Sequence, residues 1–249
     1  MPPRPATLLE KGGARARYAR GGADLRRAQA LRQQCFHPAA TGGLDSDAHD
    51  ALCRHVLIED RSGSLLGTFR LLPLPDAAGI GDSYSAQHYD LTRLEGFDGP
   101  VLELGRFCIH PAARDADVLR LAWGALTRVV DETRSGLLFG CASFAGTRAE
   151  RYLDAFAMLR QGHLAPPRWT PRVKAPRVFP FAERLQRDPD RRLALLHMPP
   201  LLRSYIQMGG WVSDHAVVDE QMDTLHVFTG LEIGRIPPAR ARALRAVAA

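Results

Sequence analysis

The stretch from Val101 to Ser143 constrains the fold of this chain more than any other. VLELGRFCI (101–109) is a mainly apolar run of strand length that stops at His110-Pro111. Asp117 to Thr133 then places Val118, Leu119, Ala122, Leu126, Val129 and Val130 at helical spacing on one face. LLFGCAS (137–143) is a second, uninterrupted apolar run, the pattern of a strand at the centre of a sheet with both faces covered. Two such strands around an amphipathic helix exclude an all-helical or all-β chain.

The flanking sequence extends the pattern. Asp24 to Phe36 puts Leu25, Ala28, Leu31 and Cys35 on a helical stripe, with Asp24 as the expected N-cap. Pro38 to Leu44 is a loop, and Asp47 to Arg54 suits a short helix. HVLIE (55–59) and LLGTFRLL (65–72), joined around Gly63, form a hairpin signal. Residues 73–100, rich in Pro, Gly and Asp, are expected to be a long loop with limited structure, and long loops inside a domain are often functional. Ala149 to Arg160 is a helix with Tyr152, Leu153, Phe156 and Leu159 facing inward. Residues 162–192 cross as a Pro- and Arg-rich loop, Pro200 to Met208 is helical, Thr224 to Ile233 is a strand, and a basic helix starts at Pro238. The order predicts an α/β (α+β) fold with a mixed sheet. Residues 1–23 are expected to be a flexible basic arm, and 24–249 a single domain with a C-terminal extension from about 162 to 249.

The net charge is +6, which suits nucleic acid, an anionic membrane or an acidic protein, and charge alone does not choose among them. RNA-recognition aromatic motifs are missing, so nucleic acid is not an expected partner. None of the four cysteines forms a C-x-x-C pair, which predicts buried free thiols in a reducing cytosol. The longest apolar stretch, Leu193 to Leu202, is short and broken by Pro199 and Pro200, and the N-terminus lacks an apolar leader core. A cytoplasmic location is expected. No G-x-G-x-x-G, G-x-x-x-x-G-K-[ST] or H-E-x-x-H is present, the nine histidines show no zinc spacing, and GCASFAG around Ser143 is not a hydrolase elbow. No metal and no tightly bound cofactor are expected.

Six segments carry a resemblance. They are LRQQCF with Arg32 and Phe36, LDSDAHD with Asp47 and Asp50, LLGTFRLL with Arg70, YSAQHYDL (84–91), LELGRFCIHP with Glu103 and Arg106, and LFGCASFAGT (138–147). The R-x-x-x-F, D-x-x-D, G-x-x-R and E-L-x-R-F series is similar to the acyl-homoserine-lactone synthases, GNAT-fold enzymes fed by acyl carrier protein. The full versions of the last three segments, with MPPLLRSYIQMGGWVSDHAVVD (198–219), look more like the ornithine N-acyltransferases that make lyso-ornithine lipid. The resemblance spans residues 24 to 235. It implies a GNAT-like mixed, twisted sheet flanked by helices, and transfer of a long-chain, 3-hydroxylated acyl group from acyl carrier protein to the α-amine of L-ornithine. The sequence departs from the common GNAT pyrophosphate loop: PAARDADVL after the Glu103 strand has Arg114 but no glycines. That departure agrees with a donor whose phosphopantetheine arm lacks the adenosine diphosphate of coenzyme A.

For such chemistry an amine must lose a proton as it attacks a thioester. Glu103 is the first candidate base, direct or through water; the alternative is a structural ion pair with Arg70 or Arg106. Simple alternation puts Glu103 and Arg106 on opposite faces, and the bulge that the resemblance implies on this strand would bring them together. Arg70 and Arg106 lie in apolar strands, where a cation needs a partner: Glu103 or a substrate carboxylate. Asp47 and Asp50 suit an acceptor ammonium, or are acids of a first helical turn. Arg32 either pairs with those aspartates or steadies the pantetheine arm, and Phe36 is core or pocket. Ser85, Tyr89 and Asp90 lie in the loop expected over the acyl tunnel. Tyr152 matches the position where many GNAT enzymes protonate the departing thiolate, but its spacing favours core packing. Arg-rich stretches at the N-terminus and at 168–192 would add attraction to an anionic membrane. Another amine acceptor (lysine, glutamine, glycine or S-adenosylmethionine) and a non-catalytic carrier-binding module remain alternatives.

Overall fold

A computed structural model describes residues 7–40, 42–113 and 116–248. Arg114, singled out in the sequence, lies outside the described residues. In chain order the strands are β1 (Thr7–Lys11), β2 (Ala14–Tyr18), β3 (Arg54–Asp60), β4 (Leu65–Leu74), β5 (Tyr89–Asp90) and β6 (Val101–Ile109). They continue with β7 (Leu137–Ala145), β8 (Arg172–Val173), β9 (Val178–Phe179), β10 (Trp211–Val212), β11 (Ala216–Asp219) and β12 (Thr224–Glu232). The helices are α1 (Gly21–Phe36), α2 (Ser85–His88), α3 (Ala116–Thr133), α4 (Leu153–Gly162), α5 (Phe181–Arg184), α6 (Arg191–His197), α7 (Pro200–Gln207) and α8 (Pro238–Ala248). Among these residues no helix is long and apolar enough to cross a membrane. None of the four cysteines is in a disulfide; Cys108 is buried, while Cys35, Cys53 and Cys141 are half-buried rather than fully buried as expected.

The chain forms two compact units, each built from separated stretches. One takes the residues up to Pro73, Leu104–Arg134 and those from Pro238 on; the other takes Leu74–Glu103 and Ser135–Pro237. These boundaries do not coincide with an arm ending at 23 or an extension starting at 162.

In the first unit, β1 and β2 are antiparallel around Gly12 and Gly13, whose φ values of +62° and +83° suit a tight hairpin turn. β2 then pairs antiparallel with β3, and β3 with β4. Residues 7–18 are therefore a hairpin, not the flexible arm expected. Leu8, Leu9 and Ala16 are buried, and the arginines that made the segment look solvated serve a purpose. Arg15, Arg17 and Arg27 converge on the Glu59 carboxylate at 2.7–3.1 Å. Arg20, not Asp24, caps α1; Asp24 sits in the first turn and accepts from Arg20 N–H at 2.7 Å. α3 packs on β1, β2 and α8. The approach is close enough that a Cβ on Gly124 would lie 2.5 Å from Leu9 and 2.9 Å from Val247.

In the second unit, β7 is parallel to the start of β6, with Val101, Leu102 and Glu103 opposite Leu137, Leu138 and Phe139. On its other side β7 is antiparallel to β12 over its whole length, and β12 pairs onward with β11 and β10. The mixed sheet is covered on both faces. Ala142, Phe144, Leu225 and Val227 pack against Tyr152 and Phe156 from the α4 side and Leu202 from α7. Leu137, Phe139 and Phe228 pack against Ile80, Tyr89 and Leu94. Both-face burial is what the uninterrupted LLFGCAS run required. It also changes the reading of 73–100, which is a packed layer of short turns and a short helix: Ile80, Tyr89 and Leu94 are fully buried. Within 162–192, expected to be a loop, β8, β9 and α5 form, and α6, β10 and β11 follow without a strong periodic signal of their own.

Candidate functional site

Two groups of polar side chains, one in each unit, hold nearly all the residues singled out in the sequence. In the second unit Glu103 is 3% exposed. Its Oε1 accepts from Ser85 N–H at 2.7 Å and from Ser85 Oγ at 2.6 Å, and its Oε2 accepts from Tyr84 N–H at 3.0 Å. These donors stand at the first turn of α2, where backbone N–H groups have no helical partner. Ser85 is itself fully buried, and its hydroxyl also lies 3.5 Å from Cys141 Sγ. Ser85, expected in the loop over the acyl tunnel, contacts the candidate base directly. Tyr205, from the 198–219 motif, is buried near this carboxylate: burial, and then the Glu103 charge, push its hydroxyl well above the ordinary phenol range. The sequence reading passed over Tyr205.

In the first unit three arginines meet three aspartates. Arg32, 1% exposed, donates Nε to Asp45 at 2.6 Å and Nη1 to Asp50 at 2.7 Å. Arg70, 2% exposed, donates Nη1 to Asp47 at 2.5 Å and to Asp50 at 2.7 Å. Arg106 donates to Asp45 and Asp47, each at 3.1 Å. Gln29 adds a 2.9 Å bond to Asp50. Three positive and three negative charges balance, so each ion in this poorly hydrated place has a counter-ion, as burial demands. Burial alone would raise Asp50, but Arg32, Gln29 and Arg70 outweigh it and hold the carboxyl well below its usual range. Asp47 is lowered in the same way, against burial, by Arg70 and Arg106. Burial holds the adjoining His55 below its usual value.

The backbone at Arg106 leaves the extended region for φ +50°, a left-handed conformation uncommon outside glycine. The irregularity falls on β6, the strand where a bulge was expected. The ion pairs of Arg70 and Arg106 go to aspartates, while the Glu103 oxygens take the Ser85 and Tyr84 donors. LDSDAHD supplies three acids, Asp45, Asp47 and Asp50, to the arginines of the first unit. Asp45 is the member the sequence reading missed; its D-x-D spacing to Asp47 was the available signal. Asp47 caps the 3₁₀ helix Ala48–Ala51 by accepting from His49 N–H at 2.9 Å, within the 47–54 stretch where a short helix was expected.

Phe36 is half-buried at the last position of α1. Asp90 accepts from Thr92 N–H at 3.0 Å and Oγ1 at 2.7 Å, which closes a turn. Tyr89 and Asp90 line a cavity of about 400 Å³ with Ile80, Ala86, Leu91 and Lys174. Tyr152 is buried and donates its hydroxyl to the Ala145 carbonyl at 2.6 Å, in keeping with core packing.

Residues 27–124 match the acetyltransferase (GNAT) domain family. The chain is 34% identical over 227 residues to L-ornithine N(alpha)-acyltransferase of Rhodobacter capsulatus, covering 85% of this chain and 86% of that protein. It is 30% identical over 244 residues to the protein of the same name from Brucella abortus, covering 90% and 86%. Among solved structures it resembles the GphF GNAT-like decarboxylase in complex with isobutyryl-CoA, with a TM-score of 0.50, 16% identity, and 88% and 98% of the two chains covered. At that identity the likeness concerns the fold alone.

Proposed function

Because the chain belongs to the L-ornithine N(alpha)-acyltransferase family, we propose that it transfers a long-chain, 3-hydroxylated fatty acyl group from acyl carrier protein to the α-amine of L-ornithine, forming lyso-ornithine lipid. The observation that carries this reading is the identity of 34% and 30% to two proteins of that name over most of the chain.

Glu103 is the base in this proposal. The Ser85 and Tyr84 donors fix its orientation before substrate arrives, and a preset carboxylate accepts the ammonium proton, directly or through water, as the nitrogen attacks the thioester. The departing thiolate takes a proton, so the net change is one amide formed and one thioester broken. In the balanced arginine–aspartate cluster, Arg32 and Asp50 hold the scaffold. Asp47 and Arg106, with side chains 24% and 11% exposed, are the members open to a charged ligand. We assign Arg106 to a carboxylate and Asp47 to a side-chain ammonium, since a guanidinium fork matches a carboxylate.

Support for a carrier-protein donor comes from the sequence after β6, which has no glycine-rich pyrophosphate loop, and from the net charge of +6, which favours an acidic carrier. A peripheral contact with anionic lipid is part of the reading: Leu193, Leu195 and Leu196 of α6 are exposed beside Arg191 and Arg192. The test offers the purified protein 3-hydroxyhexadecanoyl-loaded carrier protein with equimolar ornithine, lysine, glutamine, glycine and S-adenosylmethionine, beside a tube with the matching acyl-CoA. Mass spectrometry is expected to find acyl-ornithine from the carrier donor. Another amide moves the acceptor, an equal yield from acyl-CoA removes the donor argument, and no product from either donor overturns the catalytic reading.

A further inference from the structure

His88 at the end of α2, Asp219 at the end of β11 and His226 in β12 are far apart in sequence and meet in the second unit. One ligand-capable atom from each lies within 4.8 Å of the other two. The β11–β12 register places two of them: Val217 stands opposite His226, and Asp219 is two residues on, on the same face of its strand.

The hydrogen bonds determine what His226 offers. The Tyr89 hydroxyl has one proton, and it is donated to the His226 carbonyl at 2.8 Å. The 3.2 Å contact between that hydroxyl and His226 Nδ1 is then filled by Nδ1–H donating to the phenol oxygen. This tautomer leaves the lone pair on Nε2. Nε2 is buried without a hydrogen-bond partner among the described residues, on a side chain only 2% exposed. Asp219 is 9% exposed. Its Oδ1 accepts from Gln221 N–H and Met222 N–H, both at 3.1 Å, which orients the carboxylate and leaves Oδ2 outside those bonds.

A buried neutral imidazole with an oriented lone pair, a second imidazole and an oriented carboxylate are the donor types that bind borderline divalent ions. The Tyr89 contact supplies the outer hydrogen bond that fixes a metal-ligating histidine. We propose that His88, Asp219 and His226 form a site for a divalent transition metal of the zinc type, with three protein ligands and a fourth position for a small ligand. The spacing must contract by up to about 1.4 Å to reach the ~3.4 Å separation that bonds of about 2.1 Å set around a tetrahedral ion. Rotation of the His88 ring at the helix end supplies such a movement. A bound ion would tie α2, whose first turn holds Glu103, to the β11–β12 pair. The inference does not depend on the acyl acceptor.

The experiment uses tag-free full-length protein stripped with a chelator and titrated with Co²⁺. The expected result is one equivalent bound with the intense visible absorption of a tetrahedral site, displaced by Zn²⁺. His88→Gln and His226→Gln should each weaken binding by about 100-fold or more. His88 is half-buried at a helix end, so its variant should fold even where the His226 variant does not, and circular dichroism checks this. Zn²⁺ should also raise the melting temperature of the wild type and not that of His88→Gln. Folded wild type without stoichiometric Co²⁺ absorption, or a folded His88→Gln that keeps it, overturns the proposal.

Discussion

Replacing Asp50 with asparagine keeps the shape of the side chain and removes one charge from the balanced cluster. Asp50 accepts from Arg32 at 2.7 and 3.3 Å, from Arg70 at 2.7 Å and from Gln29 at 2.9 Å. Both arginines are almost wholly buried, so water cannot take over for the lost carboxylate. The change removes one negative charge from beside the buried Arg32 and Arg70. Breaking one partner of a buried pair costs about 3–5 kcal/mol. For a chain of this size each kcal/mol lowers the melting temperature by about 2–4 °C, so the expected drop is about 6–20 °C. Asp47→Asn should cost less, below about 2 kcal/mol, because its side chain is 24% exposed and water replaces part of what is lost. Thermal and urea unfolding followed by circular dichroism measure both. If Asp50→Asn melts within about 2 °C of the wild type, or Asp47→Asn is the more damaging change, the assignment of Asp50 to the scaffold is wrong. The pH dependence gives an independent reading. The Asp50 carboxyl is lowered in the folded chain, so its contribution is complete above the unfolded value of about 3.9 and is lost as pH falls toward the lower folded value. The acid limb of stability should therefore be shallower in Asp50→Asn than in the wild type.

Glu59 follows the same rule at the other end of that unit. Burial opposes ionisation, but Arg17 and Arg27 outweigh it and hold the carboxyl at about 2, so Glu59→Gln should lose stability at neutral pH and converge with the wild type as the pH approaches 2; parallel curves over that range would count against the reading. Glu103→Gln should lower the proposed acyl transfer by about 100-fold or more with little change in circular dichroism, and full turnover in a folded variant would remove Glu103 as the base. Gly230→Ala would bring a Cβ within 2.4 Å of the Trp211 ring and should destabilise by about 1–3 kcal/mol; an unchanged urea midpoint would show that the ring can move aside. Replacing Leu195 and Leu196 with serine should weaken sedimentation with anionic vesicles by about 10-fold, and equal binding would exclude α6 as the contact.

Much of the architecture is legible in the chain. β6, α3 and β7 lie where the apolar runs of 101–109 and 137–143 and the helical stripe between them place them. α1, the β3–β4 hairpin and β12 differ from expectation by a few residues at their ends. The β1–β2 hairpin is the clearest exception. ARARY alternates, but with arginine on one side it has the composition of a solvated arm. Glu59, more than forty residues away, takes both arginines, and Asp24 takes Arg17 as well, which makes them part of a sheet. Residues 73–100 carry no sustained period because they pack as short turns, each contributing one or two apolar side chains to the face of β7 and β12.

The site divides in the same way. The segments of the resemblance single out Glu103, Arg32, Arg70, Arg106, Asp47, Asp50 and Ser85, and for Arg70 and Arg106 the apolar strand around them demands a partner. Their pairing is not written locally. Desolvation makes a counter-ion obligatory for a buried arginine but leaves its identity open, and Asp45 was as eligible as Glu103 until the backbone at Arg106 turned. By itself the sequence determined the strands and helices with a sustained period, β3, β4, β6, β7, β12, α1 and α3 among them, since these follow from periodicity within a short window. The tertiary structure decided which acids meet Arg32, Arg70 and Arg106, that Ser85 and Tyr84 hold the Glu103 carboxylate, and that three residues as distant as His88, Asp219 and His226 lie together, because those contacts depend on distances that no local stretch of chain contains.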